Sequence, residues 1–93
     1  MKIRYYVCGI GYNEDDCVTN YEREFGDFDT YEEAQEKFAE TVREAEDNLD
    51  EFFLDNELEV AYWHIQLEKC EETESEINCI DIIDETDICR EEM

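Results

Sequence analysis

Five carboxylates, Glu36, Glu40, Glu44, Asp47 and Glu51, recur at spacings of 4, 4, 3 and 4 residues. On a helix these intervals stack the side chains in one row, with neighbouring Cβ atoms about 5–6 Å apart. The chemistry open to such a row is electrostatic: it presents a line of negative charge to Lys and Arg side chains. Glu33, Glu46 and Asp50 flank the row, and only Lys37 and Arg43 interrupt it. Like charges at i,i+4 each oppose helix formation by a few tenths of a kcal/mol, so helix stability does not explain the row. It would extend about 22 Å at 1.5 Å per residue. Asp55, Glu57 and Glu59, with the acids of the 71–76 segment, could widen it into two rows. Duplex DNA carries one charge per about 1.7 Å of axis, and a two-row acidic surface would resemble a phosphate path.

The other reactive side chains are sparser. Five cysteines (Cys8, Cys17, Cys70, Cys79 and Cys89) form no C-x-x-C pair, which fits reduced thiols better than a disulfide framework. Cys70, Cys79, Cys89 and the single His64 lack the close ligand pairs of structural zinc sites. Cys8 and Cys79 fall in apolar strand runs and read as small buried hydrophobes. The acidic clusters NEDD (13–16) and DFD (27–29) miss the EF-hand spacing and read as turns. A lone histidine beside Trp63 and Tyr62 reads as a packed structural residue, and GIG at 9–11 opens no helix as a phosphate loop would. Neither a catalytic centre nor a cofactor or metal is expected. Six tyrosines exceed what a small core needs; Tyr12 and Tyr21 are the expected exposed contact residues.

The elements that carry these groups follow from periodicity. KIRYYVCGIG (2–11) and CVTNYEREF (17–25) read as a hairpin, with Thr19, Tyr21, Arg23 and Phe25 inward and Gly26 ending the second strand. Thr30 and Glu33 fit a capping box. Apolar residues at Tyr31, Ala34, Phe38, Val42, Ala45, Leu49 and Phe52 then predict one helix from about Tyr31 to Phe53. LEVAYWHIQLEKC (58–70) puts Ala61, Trp63, Ile65 and Leu67 on one face of a strand, and INCIDIID (77–84) is a fourth strand. ETDICREEM is open between a tail and a short helix. The expected fold is α+β: one domain over residues 1–93, with an antiparallel sheet of about four strands in the order β-β-α-β-β. One long amphipathic helix packs on one face of that sheet.

Charge sets the partner class. The 93-residue chain has a formal net charge of −23, concentrated in its second half. Residues 1–43 hold 11 acids and 5 bases, whereas residues 44–89 hold 17 acids against Lys69 alone. With 42% hydrophobic and 13% aromatic residues the chain has a core to bury and is not read as disordered. Such charge disfavours direct binding to nucleic acid or anionic membrane and fits a basic protein. The N-terminal apolar run is too short for a signal peptide, so a cytoplasmic protein is expected.

In size, acidity and its acidic helix from Glu36 to Glu51, the chain resembles phage-encoded DNA mimics, anti-CRISPR inhibitors and acidic nuclease inhibitors. Such inhibitors have unrelated folds, so the resemblance implies a partner class and no residue roles. It implies action in a host cytosol on a nuclease or other nucleic-acid-binding complex. The expected function is an inhibitor or decoy whose partner-binding residues are Glu36, Glu40, Glu44, Asp47, Glu51, Asp55 and Glu57. A rival expectation is a small assembly domain forming a homodimer through a sheet edge or aromatic patch, with the charge serving solubility. A third is a cysteine-based metal or redox protein.

Overall fold

Alternating β-branched and aromatic residues make the chain's first segment a strand, and its paired partners complete one antiparallel sheet. The computed structural model describes residues 2–53 and 60–89. Its elements are β1 (Lys2–Tyr12), β2 (Val18–Phe28), α1 (Tyr31–Asp47), α2 (Leu49–Phe52), β3 (Tyr62–Glu72) and β4 (Ile77–Cys89). The strands lie in the order β2-β1-β3-β4, every neighbour antiparallel. The fold is therefore the α+β arrangement that the periodicities predict, with β1 and β3 central and α1 against one face.

The first turn is closed by Asn13, whose side-chain oxygen accepts from the backbone N–H groups of Asp15 and Cys17 at 2.9 and 3.0 Å. Asp16 takes the left-handed conformation there, with φ of 62°, which Asp tolerates better than most residues. At the helix start, the Thr30 side chain accepts from the Glu33 N–H at 3.3 Å, and its hydroxyl donates to the Glu33 carboxylate at 3.0 Å. Ala34, Phe38, Thr41 and Ala45 are the buried residues of α1. Val42 is half-buried and Tyr31 exposed, so the inward stripe starts one turn later than its apolar spacing suggests.

Four boundaries differ from expectation, each for a local reason. The single helix is interrupted at Asn48 (φ −135°, ψ 60°), whose N–H still donates to the Glu44 carbonyl, and α2 is one short turn. Gly26 does not end β2. It pairs with Val7 while Phe25 bulges out of the ladder, and the strand continues to Phe28. Residues 85–89 are neither tail nor helix: Thr86 and Ile88 alternate inward against Ile65 and Trp63 and extend β4. Strand β3 begins at Tyr62, after Val60 and Ala61; positions 58 and 59 fall outside the described residues.

The core lies between α1 and the sheet. Trp63, Ile65 and Leu67 from β3, Val7 from β1, and Val60 are fully buried, joined by Phe38 and Ile88. Glycines on the helix-facing side of β1 make room for this packing. A Cβ at Gly11 would come within 2.9 Å of a Val60 methyl, and one at Gly9 within 3.2 Å of the Phe25 ring.

No basic residue occupies the last turn of either helix; Arg23 supplies the cation from β2. Its guanidinium lies 4.2 Å from the Trp63 ring centroid and 4.7 Å from that of Phe52, and donates to the Phe52 carbonyl at 2.7 Å. Arg23→Met keeps the apolar stem but loses the cation–π contact and the charged hydrogen bond. The expected cost is about 1–3 kcal/mol, read as a lower urea midpoint with unchanged slope. Arg23→Lys is expected to recover only part, because an ammonium cannot stack as the planar guanidinium does.

Candidate functional site

The acidic row survives folding, with one change. Glu36, Glu40, Glu44 and Asp47 are all exposed on α1, away from the buried Ala34–Phe38–Thr41–Ala45 stripe. Glu51 is exposed too but lies past the break at Asn48; with Glu44, Asn48 and Phe52 it lines a shallow depression, so it stays beside the row. Asp55 and Glu57 lie outside the described residues. Lys37 reaches Glu40 across 3.7 Å. Two other cations are drawn to the far side of the molecule. Arg4 pairs with Asp27, Asp29 and Glu72, and Lys2 with Asp29. The helix therefore presents its carboxylates to solvent largely uncompensated.

The second feature is the sheet face opposite α1. Tyr6, Cys8, Ile10 and Tyr12 of β1 share it with Tyr62, His64, Gln66, Glu68 and Cys70 of β3, as the direct pairs Tyr6↔Glu68, Cys8↔Gln66, Ile10↔His64 and Tyr12↔Tyr62 require. At one end, Tyr12 stacks on Tyr62 with centroids 5.1 Å apart, and the Tyr62 hydroxyl donates to Asp16 at 3.0 Å. His64 is held on both sides, by Asp87 at Nδ1 (2.6 Å) and Glu85 at Nε2 (2.9 Å). Both partners come from β4. Tyr12 and Tyr21 are both half-buried, and Tyr21 packs on the core, so the expected exposed pair is not formed; Tyr31 is the exposed tyrosine, at 42%.

The middle of this face brings together side chains from three strands. Glu68 sits between three thiols. Cys8 Sγ donates to its Oε2 at 3.0 Å, Cys70 Sγ lies 3.8 Å from Oε1, and Cys79 approaches from β4. Gln66 also donates to Oε2. One ligand atom each from Glu68, Cys70 and Cys79 falls within 4.8 Å of the other two. They line a shallow depression of about 540 Å³ whose rim includes Glu22 and Glu24. The reading of Cys8 and Cys79 as buried hydrophobes is thereby corrected. On this face Cys8 is half-buried and Cys79 exposed, and Cys70 between them in the sheet is the buried thiol at 2%.

Compared with known proteins, the chain matches no family model, no curated sequence and no solved structure. Function is therefore argued from the side chains. No helix among the described residues is long and apolar enough to cross a membrane.

The electrostatics of the thiol cluster follow from its burial. Burial and the adjacent Glu68 push the Cys8 thiol far above its ordinary value. Burial, with Cys79 and Glu68 nearby, raises Cys70 to about 12. Cys79 shifts upward for the same two reasons, burial first and then Glu68. Burial opposes ionisation of Glu68, yet hydrogen bonds from Cys8, Gln66, Cys79 and Cys70 outweigh it, so this carboxyl titrates below its usual range. Thiols raised in the folded state contribute stability that is complete below the unfolded thiol value of about 8.5 and falls as pH rises toward the folded values. The urea midpoint should therefore decline between about pH 8 and pH 10. Cys8→Ala should flatten that decline; a midpoint independent of pH over the window would contradict the arrangement.

The sequence reading missed this cluster because its first member, Cys8, stands 60 residues before the next, Glu68. One signal was available. Cys70 and Cys79 lie symmetrically about a turn closed by the Thr73 N–H to Glu76 carbonyl hydrogen bond of 2.9 Å, which sets them opposite each other.

Proposed function

We propose that the protein is an acidic inhibitor or decoy that binds a basic nucleic-acid-handling protein and blocks its nucleic-acid site, as an anti-CRISPR-like DNA mimic or a nuclease inhibitor does. The observation that carries this reading is the exposed row Glu36, Glu40, Glu44 and Asp47, continued by Glu51. It stands on the helix face pointing away from the sheet, with one lysine contact along it. Because the opposite stripe of α1 is buried in the core, the row is held at fixed spacing on a rigid element. A preformed charged row gains affinity through fast, steered encounter and through charge pairs that need no reordering of the inhibitor. The five thiols are free, consistent with action in a reducing cytosol.

The test is capture of a basic nuclease or nucleic-acid-binding complex on the immobilised protein at low and at high ionic strength, with duplex DNA or RNA as competitor. Binding should weaken steeply with salt and be displaced by the nucleic acid. Affinity that ignores both would end the proposal.

A second reading, self-association into a homodimer, is favoured by one observation: Ile77, Ile80 and Ile82 are exposed along edge strand β4. Against it, Asp81, Asp84, Glu85 and Asp87 lie on the same strand. An edge-to-edge dimer would bring these like charges together, which is how natural sheets discourage such pairing. Light scattering across a concentration series separates the readings, since a dimer at every concentration without affinity for basic partners supports the second.

A further inference from the structure

The thiols and carboxylate on the uncovered sheet face form a group that the acidic helix does not need. Three strands converge on it. Cys70 and Cys79 are a directly opposed pair of β3 and β4, and Glu68 lies two residues before Cys70 on the same face. The opposition follows from the turn closed between Thr73 and Glu76, and a bulge lies just beyond the pair. Ile80 is an extra residue in β4 between the pairs Lys69↔Asp81 and Cys70↔Cys79. Without it Ile80 rather than Asp81 would stand against Lys69; the bulge therefore changes the aim of β4 immediately after Cys79. Bulges re-aim side chains in this way, and they recur beside functional sites.

We propose that Glu68, Cys70 and Cys79 bind a thiophilic divalent cation of the zinc class, with the fourth position open to solvent. In a tetrahedral zinc site with Zn–S near 2.3 Å and Zn–O near 2.0–2.2 Å, ligand atoms lie about 3.5–3.8 Å from one another. The 4.8 Å spread observed without an ion closes to that by side-chain shifts of about 1 Å or less. The carboxylate is already oriented for the task. Its Oε2 is occupied by Cys8 and Gln66, and its Oε1 points to Cys70. Cys8 is thus a positioning residue, holding the ligand oxygen as outer-shell hydrogen bonds commonly do in metal sites. Two sulfurs with one carboxylate suit a borderline-soft ion: a hard cation such as Mg²⁺ prefers an all-oxygen set, and Cu(I) prefers sulfur alone. The exposure of Cys79 and the shallow depression around it give the ion an entry path. Glu22 and Glu24 on the rim add attraction for a cation.

The experiment uses Co²⁺ as a spectroscopic stand-in for Zn²⁺ on the full chain, purified in reductant and freed of metal. One equivalent of Co²⁺ should give a thiolate-to-cobalt charge-transfer band and the strong visible bands of a tetrahedral ion, both erased by Zn²⁺. Cys79→Ser, at an exposed position, should weaken the charge-transfer band by about half, since one of two sulfur ligands is lost. Cys70→Ser/Cys79→Ser should abolish it, and Cys17→Ser and Cys89→Ser should leave it intact. Circular dichroism checks that each variant is folded. Absence of a sulfur band in the folded wild type, or a band unchanged in folded Cys79→Ser, overturns the assignment. Because Glu40, Glu44 and Asp47 take no part, this result is independent of partner binding by the helix.

Discussion

Reversing three charges on the helix, by Glu40→Lys, Glu44→Lys and Asp47→Lys, is expected to weaken capture of a basic partner by about two orders of magnitude at low salt. Three exposed charge pairs are lost and three repulsions replace them, each worth about 0.5 kcal/mol, for a total of about 3 kcal/mol. The difference should shrink at high salt, where the Debye length falls to a few ångströms. The decisive control is stability. Within α1 the wild-type row has like-charge neighbours at Glu36–Glu40, Glu40–Glu44 and Glu44–Asp47, and no basic residue occupies the last turn. The reversed helix turns the Lys37–Glu40 ion pair into a repulsion, but it gains an attraction between Glu36 and position 40, cations near its C-terminus, where the helix dipole favours them, and a smaller net negative charge. Its unfolding midpoint should therefore hold or rise while binding collapses. A variant that binds as well as the wild type would mean that the row serves solubility alone.

The second large effect lies in the core. Trp63→Ala is expected to cost about 3–5 kcal/mol, a large share of the 5–15 kcal/mol typical of a small domain. Trp63 is fully buried. Its indole meets Phe52 edge-on at 6.2 Å and carries the Arg23 guanidinium on its face. It also fills the space that Gly9 leaves open, where a Cβ would lie 3.4 Å from the ring. Truncation removes all three contacts at once and strands the Arg23 charge over a cavity. Thermal unfolding followed by circular dichroism should show a much lower midpoint. Trp63→Phe should lose less, because the indole N–H has no hydrogen-bond partner among the described residues and nothing polar is orphaned by its removal. A loss below about 1 kcal/mol for Trp63→Ala would contradict this packing.

Particular residues show why some features were legible in the sequence. The spacing from Ala34 to Ala45 announces a helix because one face must be apolar to pack, and the buried residues of α1 fall on it. The alternation Trp63, Ile65, Leu67 likewise announces a strand with one dry face, which all three occupy. The acidic row is a property of the same helical period, so its exposure followed once the apolar stripe was placed. The interruption at Asn48 was not legible, because the apolar spacing runs through it without a Gly or Pro.

By itself, then, the sequence determined the α+β class, the faces of α1 and β3, and the excess of negative charge. These depend on periods of a few residues and on composition, which local sequence carries in full. Only the tertiary structure decided that Arg23 closes the helix end from β2, that residues 85–89 extend β4, and that Cys8, Glu68, Cys70 and Cys79 meet on the uncovered face. Those outcomes depend on strand order and register. A shift of one residue in register turns a strand's side chains to the other face, and that choice is made by the packing of the whole sheet.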